Sequence, residues 1–69
     1  MKAIELIYKR IKSGKFNFEN VMKKGSYYGV NCNVMPLFCS YGMIGYKIFV
    51  GNDMIEVDFE LNKINLYTD

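Results

Sequence analysis

The sequence predicts an α+β fold: an N-terminal helix, with a second short helix after it, packed on one face of a mainly antiparallel sheet of about four strands. Three observations carry this. Apolar residues recur at helical spacing near the N-terminus, the period changes to two from Tyr28 onward, and Pro36 and Asn-containing pairs punctuate the later runs.

Ile4, Ile7, Tyr8 and Ile11 fall on one helical face with Leu6 beside them, while Lys2, Glu5, Lys9 and Lys12 take the other. Glu5 precedes Lys9 in the favourable order, and Gly14 stands where a left-handed cap is expected, so the helix is placed at about residues 2 to 13. Between Lys15 and Lys24 two patterns compete. Phe16 and Phe18 alternate like a strand, whereas Phe18, Val21 and Met22 suit a short helix that Asn17 would cap and Gly25 would close; the helix is preferred.

Tyr28, Val30, Cys32 and Val34 share one face of a first strand, with Gly29, Asn31 and Asn33 on the other, and Pro36 is expected to end it. Ile44, Tyr46, Ile48 and Val50 form the next inward set, followed by Ile55, Val57, Phe59 and Leu61. A turn at Asn52-Asp53 would pair Val50 with Ile55, and a turn at Gly51-Asn52 would keep the same facing, so parity does not separate them. A further turn at Asn62-Lys63 would pair Leu61 with Ile64 and Phe59 with Leu66. The N-terminal helix is the one element long enough to roof this sheet.

Size bounds the rest. A chain of 69 residues holds one core, residues 1–69 read as a single domain, and folding would bury roughly 60% of the unfolded surface. Half the residues are hydrophobic and 23% are charged, too apolar for disorder and too punctuated by charge for a membrane span. The first ten residues carry too many charges for a secretory signal, so the expected location is the cytoplasm.

Histidine is absent, which removes Ser/His/Asp and Cys/His catalysis and the commonest transition-metal ligand. Cys32 and Cys39 have neither redox CxxC spacing nor the partners of a zinc site, and both read as reduced thiols. Glu56, Asp58 and Glu60 alternate on one strand face about 7 Å apart, a solvated ladder opposite Lys47 rather than a converging cation cage. No glycine-rich phosphate loop is present, and Gly42 and Gly45 are read as relieving strain at a strand entry. The expectation is a non-enzyme with no cofactor, no metal and no small-molecule substrate.

What remains is apolar surface. Tyr27, Met35, Phe49 and Tyr67 are expected to point away from the helix, and Leu37, Phe38 and Tyr41 fall in or near the connection from Pro36 to Gly42. Aromatics and Met beside a few charges are the residues that dominate protein interfaces. The predicted protein-contact set is Tyr27, Phe38, Tyr41, Phe49, Glu56, Asp58 and Tyr67, with another protein or a second copy of the chain as partner. The alternative partner is nucleic acid, because Lys9, Arg10, Lys12, Lys15, Lys23 and Lys24 make the front of the chain basic while the back is acidic. A third reading has Asp53, Glu56, Asp58 and Glu60 imitating a row of phosphates.

Lys, Asn, Ile, Tyr and Phe make up nearly half the chain, and all five are specified by AT-rich codons. That coding bias, the small size, the lean catalytic inventory and the excess aromatic surface together resemble the accessory proteins of phages and mobile elements. The likeness is one of type and rests on no motif. It implies a protein that blocks a host or defence protein by occupying its surface, as anti-CRISPR-type inhibitors do.

Overall fold

A computed structural model describes residues 2–69. Two helices, α1 (Ala3–Lys12) and α2 (Phe18–Lys24), precede β1 (Ser26–Tyr27), β2 (Val30–Cys39), β3 (Gly42–Val50), β4 (Asp53–Asp58) and β5 (Lys63–Tyr67). The strands form one antiparallel sheet in chain order, one strand more than the periodicity predicts. The α+β class is as expected.

Both helices end as their sequences direct. At the end of α1 the Gly14 N–H donates to Ile11 O and the Lys15 N–H to Arg10 O, with Gly14 at φ 77°, which is a Schellman closure. Asn17 caps α2 by accepting from the Asn20 N–H at 3.0 Å, and Gly25 closes it at φ 67°.

Ile4, Ile7 and Ile11 of α1 are buried in one cluster with Cys32, Val34, Ile48, Val50, Ile55 and Val57 of the sheet. Phe16 and Val21 join it, and Phe18 stacks on Tyr46 at 4.3 Å. The roof is therefore shared: α1 packs on β3 and β4, and α2 on β1 and β2. No helix contributes comparable cover to β5, whose five residues are all exposed.

Several sequence expectations change. Tyr28 lies in a two-residue turn with Gly29, both at positive φ, so the strand starts at Val30 and its inward set at Cys32. Pro36 does not end the strand, which runs on to Cys39. Beyond Asn31, β2 has a partner on one side only, the setting in which a proline is tolerated in a sheet.

Gly51-Asn52 forms the next turn and sets Ile48 against Ile55 and Tyr46 against Val57. Gly51, at φ 60°, is the first central residue, as a type II′ hairpin requires. The last turn spans residues 59 to 62 rather than Asn62-Lys63, because Asp58 Oδ1 accepts from both the Glu60 and the Asn62 N–H at 2.9 Å. Ile55 then faces Leu66, and Phe59 leaves the inward row to sit exposed with its ring edge against Tyr46.

Gly45 does not relieve strain by an unusual φ. A Cβ there would stand 1.9 Å from the Val57 carbonyl oxygen, so its role is the close approach of β3 and β4 beside a bulge that leaves Ile44 without a partner on β2. Gly45→Ala is expected to cost about 3 kcal/mol by forcing two paired backbones apart. In thermal unfolding this lowers the midpoint by more than about 10 °C; an unchanged midpoint refutes the close-approach account.

Cys32 is fully enclosed, and burial pushes its thiol up to about 11 from 9.0, whereas Cys39 is exposed. A thiol reagent at pH 8 should modify Cys39 quickly and Cys32 only after denaturation. Because the folded thiol holds its proton more tightly than the unfolded one, its contribution is complete below pH 9.0 and declines as pH rises through about 11. Wild type should therefore lose more stability than Cys32→Ala over that window, and equal losses would remove Cys32 as a cause.

Candidate functional site

From Gly25 to Tyr46 the chain contains no charged residue. This stretch supplies β1, β2 and the first part of β3. The register shows what becomes of its far end. β4 pairs with β3 only from Gly45 onward, while Phe38 faces Met43 and Cys39 faces Gly42. Residues 38 to 44 thus form a two-stranded arm that continues the β2–β3 hairpin past the rest of the sheet.

The arm is apolar and bare. Tyr41, at the turn, is 98% exposed, Phe38 is 64% exposed, and Met43 and Ile44 are exposed as well. An isolated hairpin of this size would be marginal in water, but here it is extruded from strands anchored by Cys32, Val34, Ile48 and Val50 in the core. Residues 36 to 42 do not fold back to complete the core cluster. Leu37 is the one that is buried there, at 8% exposure, and it lies opposite Gly45 and outside the cluster beneath the helices.

The face away from the helices holds the second group. One row of cross-strand neighbours runs Asn33, Phe49, Met54, Tyr67, and the next runs Met35, Lys47, Glu56, Asn65. Phe49 is half-buried by its neighbours and Tyr67 is 53% exposed. Glu56 accepts a hydrogen bond from the Asn65 side-chain amide at 2.9 Å and has Lys47 opposite it on β3, so it is an oriented carboxylate in a polar row beside the apolar one.

The predicted contact residues are therefore divided. Phe38 and Tyr41 belong to the arm, and Phe49, Glu56 and Tyr67 to the open face. Tyr27 belongs to neither: it packs on the helix side, its ring 4.9 Å from Phe16, because the Tyr28-Gly29 turn reverses the chain directly after it. Asp58 is engaged in the last turn, and Glu60 lies inside that turn, so the three-carboxylate ladder is not formed. Among the described residues no group of three or more His, Cys, Asp or Glu side chains gathers where a metal ion could be held. Periodicity missed Met43 and Ile44, since the arm bulges at Ile44 and breaks the alternation that would have turned it inward. The uncharged run was the signal available for them.

The basic residues also separate. Lys15 and Lys24 line a cleft of about 450 Å³ between α2 and the Tyr28-Gly29 turn. Lys9 lines a different one, of about 310 Å³, between α1 and β5 with Ile4, Tyr8, Ile55 and Leu66. Lys12 donates to Asn62 Oδ1 at 3.2 Å, while Arg10 and Lys23 are exposed. The one ion pair among the described residues is Lys2 with Asp53, at 3.7 Å.

No described helix is long and apolar enough to cross a membrane. Compared with protein-family models, curated proteins and solved structures, the chain matches none of them.

Proposed function

We propose that this chain is a non-enzymatic protein-binding module that inserts its β2–β3 arm into a cleft on another protein. The observation that carries the reading is the exposure of Tyr41 and Phe38 at the end of an uncharged hairpin. Large aromatic side chains left in water give up burial that a partner can supply, and contacts of this type concentrate binding energy in few residues. Met43 beside them adapts to an irregular pocket, and Ile44 adds apolar surface. Phe49, Met54 and Tyr67 on the open face provide a second contact area at the side of the arm.

The lean catalytic inventory agrees with a module that acts by occupying space. The absence of histidine and a buried, proton-retaining Cys32 leave no nucleophile and base pair at hand. Within the binding class, the likeness in type to phage and mobile-element accessory proteins favours inhibition of a host or defence protein in the cytoplasm. A second copy of the chain is the other candidate partner.

The test compares wild type with a Phe38→Ser, Tyr41→Ser double variant as affinity bait in lysate of the source organism, with light scattering on each. Each truncation should cost about 2 kcal/mol, roughly thirtyfold in affinity, so a specific prey or a self-associated form disappears. Circular dichroism should show the fold intact, since neither ring is buried. A double variant that keeps every co-purifying protein and the same solution mass defeats the proposal.

Nucleic acid is the second reading, favoured because, among the described residues, no lysine or arginine other than Lys2 is ion-paired. Under it, binding to single-stranded DNA or RNA weakens steeply with salt and is abolished by Lys9→Glu with Lys12→Glu. Absence of binding at low salt ends that reading.

A further inference from the structure

We propose that the cleft between α2 and the β1–β2 turn is a binding site for a small organic phosphate of nucleotide size. This does not rest on the protein-binding reading, because the cleft and the arm share no residue. Its volume of about 450 Å³ lies within the roughly 300–1,000 Å³ typical of small-molecule sites and exceeds what a bare oxyanion fills.

The lining selects for charge and for hydrogen-bond acceptors. Lys15 and Lys24 contribute two ammonium groups with no ion-pair partner among the described residues, and no carboxylate lines the cleft. Asn17 Oδ1 accepts from the Asn20 backbone N–H, which leaves the side-chain NH2 groups of Asn17 and Asn20 as donors for phosphate oxygens. Ser26 adds a hydroxyl, and Val21 gives the wall a buried apolar base.

Tyr28 argues for a ligand with a flat ring. It is 85% exposed at the edge of the cleft and holds φ at 49°, a conformation that Gly or Asn adopts at lower cost. The one ring contact it makes is an edge-on approach to Tyr27 at 4.7 Å, leaving its surface open to stacking. The turn holds this ring at the edge of the same cleft that Lys15 and Lys24 line.

The experiment is an amide NMR titration of the full chain with adenosine monophosphate, inorganic phosphate, adenosine and a thymidine hexamer as probes. Adenosine monophosphate should shift Asn20, Lys24, Ser26 and Gly29 saturably, phosphate should shift the same amides more weakly, and adenosine should shift Gly29 weakly while leaving Asn20 and Lys24 unmoved. Lys15→Gln with Lys24→Gln should weaken the nucleotide by at least about tenfold while the rest of the spectrum stays unchanged. Tyr28→Gly should weaken the nucleotide but not phosphate. A hexamer that binds these residues more tightly than the mononucleotide assigns the phosphate to a nucleic-acid strand, and a weaker one assigns it to a free ligand. No saturable shift, shifts spread over the lysines of α1, or a double variant that binds like wild type overturns the site.

Discussion

Ile4, Ile7 and Ile11 project from successive turns of α1 into the cluster formed by Ile48, Ile55 and Val57, and the three helix residues are almost entirely removed from water. Burial of a side chain this size contributes about 1.5–3 kcal/mol, so the three together are a major part of what holds α1 on the sheet. This seam also fixes what remains uncovered. A helix of ten residues spans about 15 Å, which is enough to roof two or three strands and no more. With α1 on β3 and β4 and α2 on β1 and β2, the inner side of β5 and the whole of the arm are left without cover.

The sheet reaches this arrangement through backbone devices that act where side-chain pattern is silent. Gly45 lets β4 approach β3 more closely than any Cβ would permit, at the point where the arm departs from the sheet. The adjacent register shift leaves Ile44 without a partner on β2 at the same point. Asp58 performs the equivalent task at the other end, gathering the N–H groups of Glu60 and Asn62 so that the chain reverses before a longer hairpin can form. A carboxylate expected to face solvent is thereby converted into part of a turn.

Much of the fold was legible because local and long-range preferences agreed. Asn17, Gly14 and Gly25 mark helix ends by their own chemistry, and the alternation from Ile44 to Val57 survives in the inward set Ile48, Val50, Ile55 and Val57. The exceptions have physical causes. Tyr28 in a left-handed turn contradicts aromatic preference, and Pro36 inside a strand is tolerated because that edge has no partner, which only the completed topology reveals. Of the candidate contact residues, Phe38, Tyr41 and Tyr67 were legible as apolar residues beyond the roofing capacity of one helix. Tyr27 was not, because the turn that buries it was read as strand. Met43 and Ile44 were hidden by a bulge, which periodicity cannot register.

An uncharged hairpin with a free edge would ordinarily invite strand-on-strand aggregation. Two features oppose it here. Pro36 removes a donor from the middle of β2, and the irregularity between Leu37 and Phe38 breaks the even spacing that another strand would need to match. With backbone pairing hindered at both points, the adhesive capacity of the arm resides in its side chains, chiefly the rings of Phe38 and Tyr41. Under the proposed protein-binding role, the arm would therefore be met by a shaped pocket rather than a strand edge. The lysine-lined cleft is built on α2 and the first hairpin, whereas the uncharged arm continues β2 and β3, so one small core carries basic and apolar surfaces on different elements.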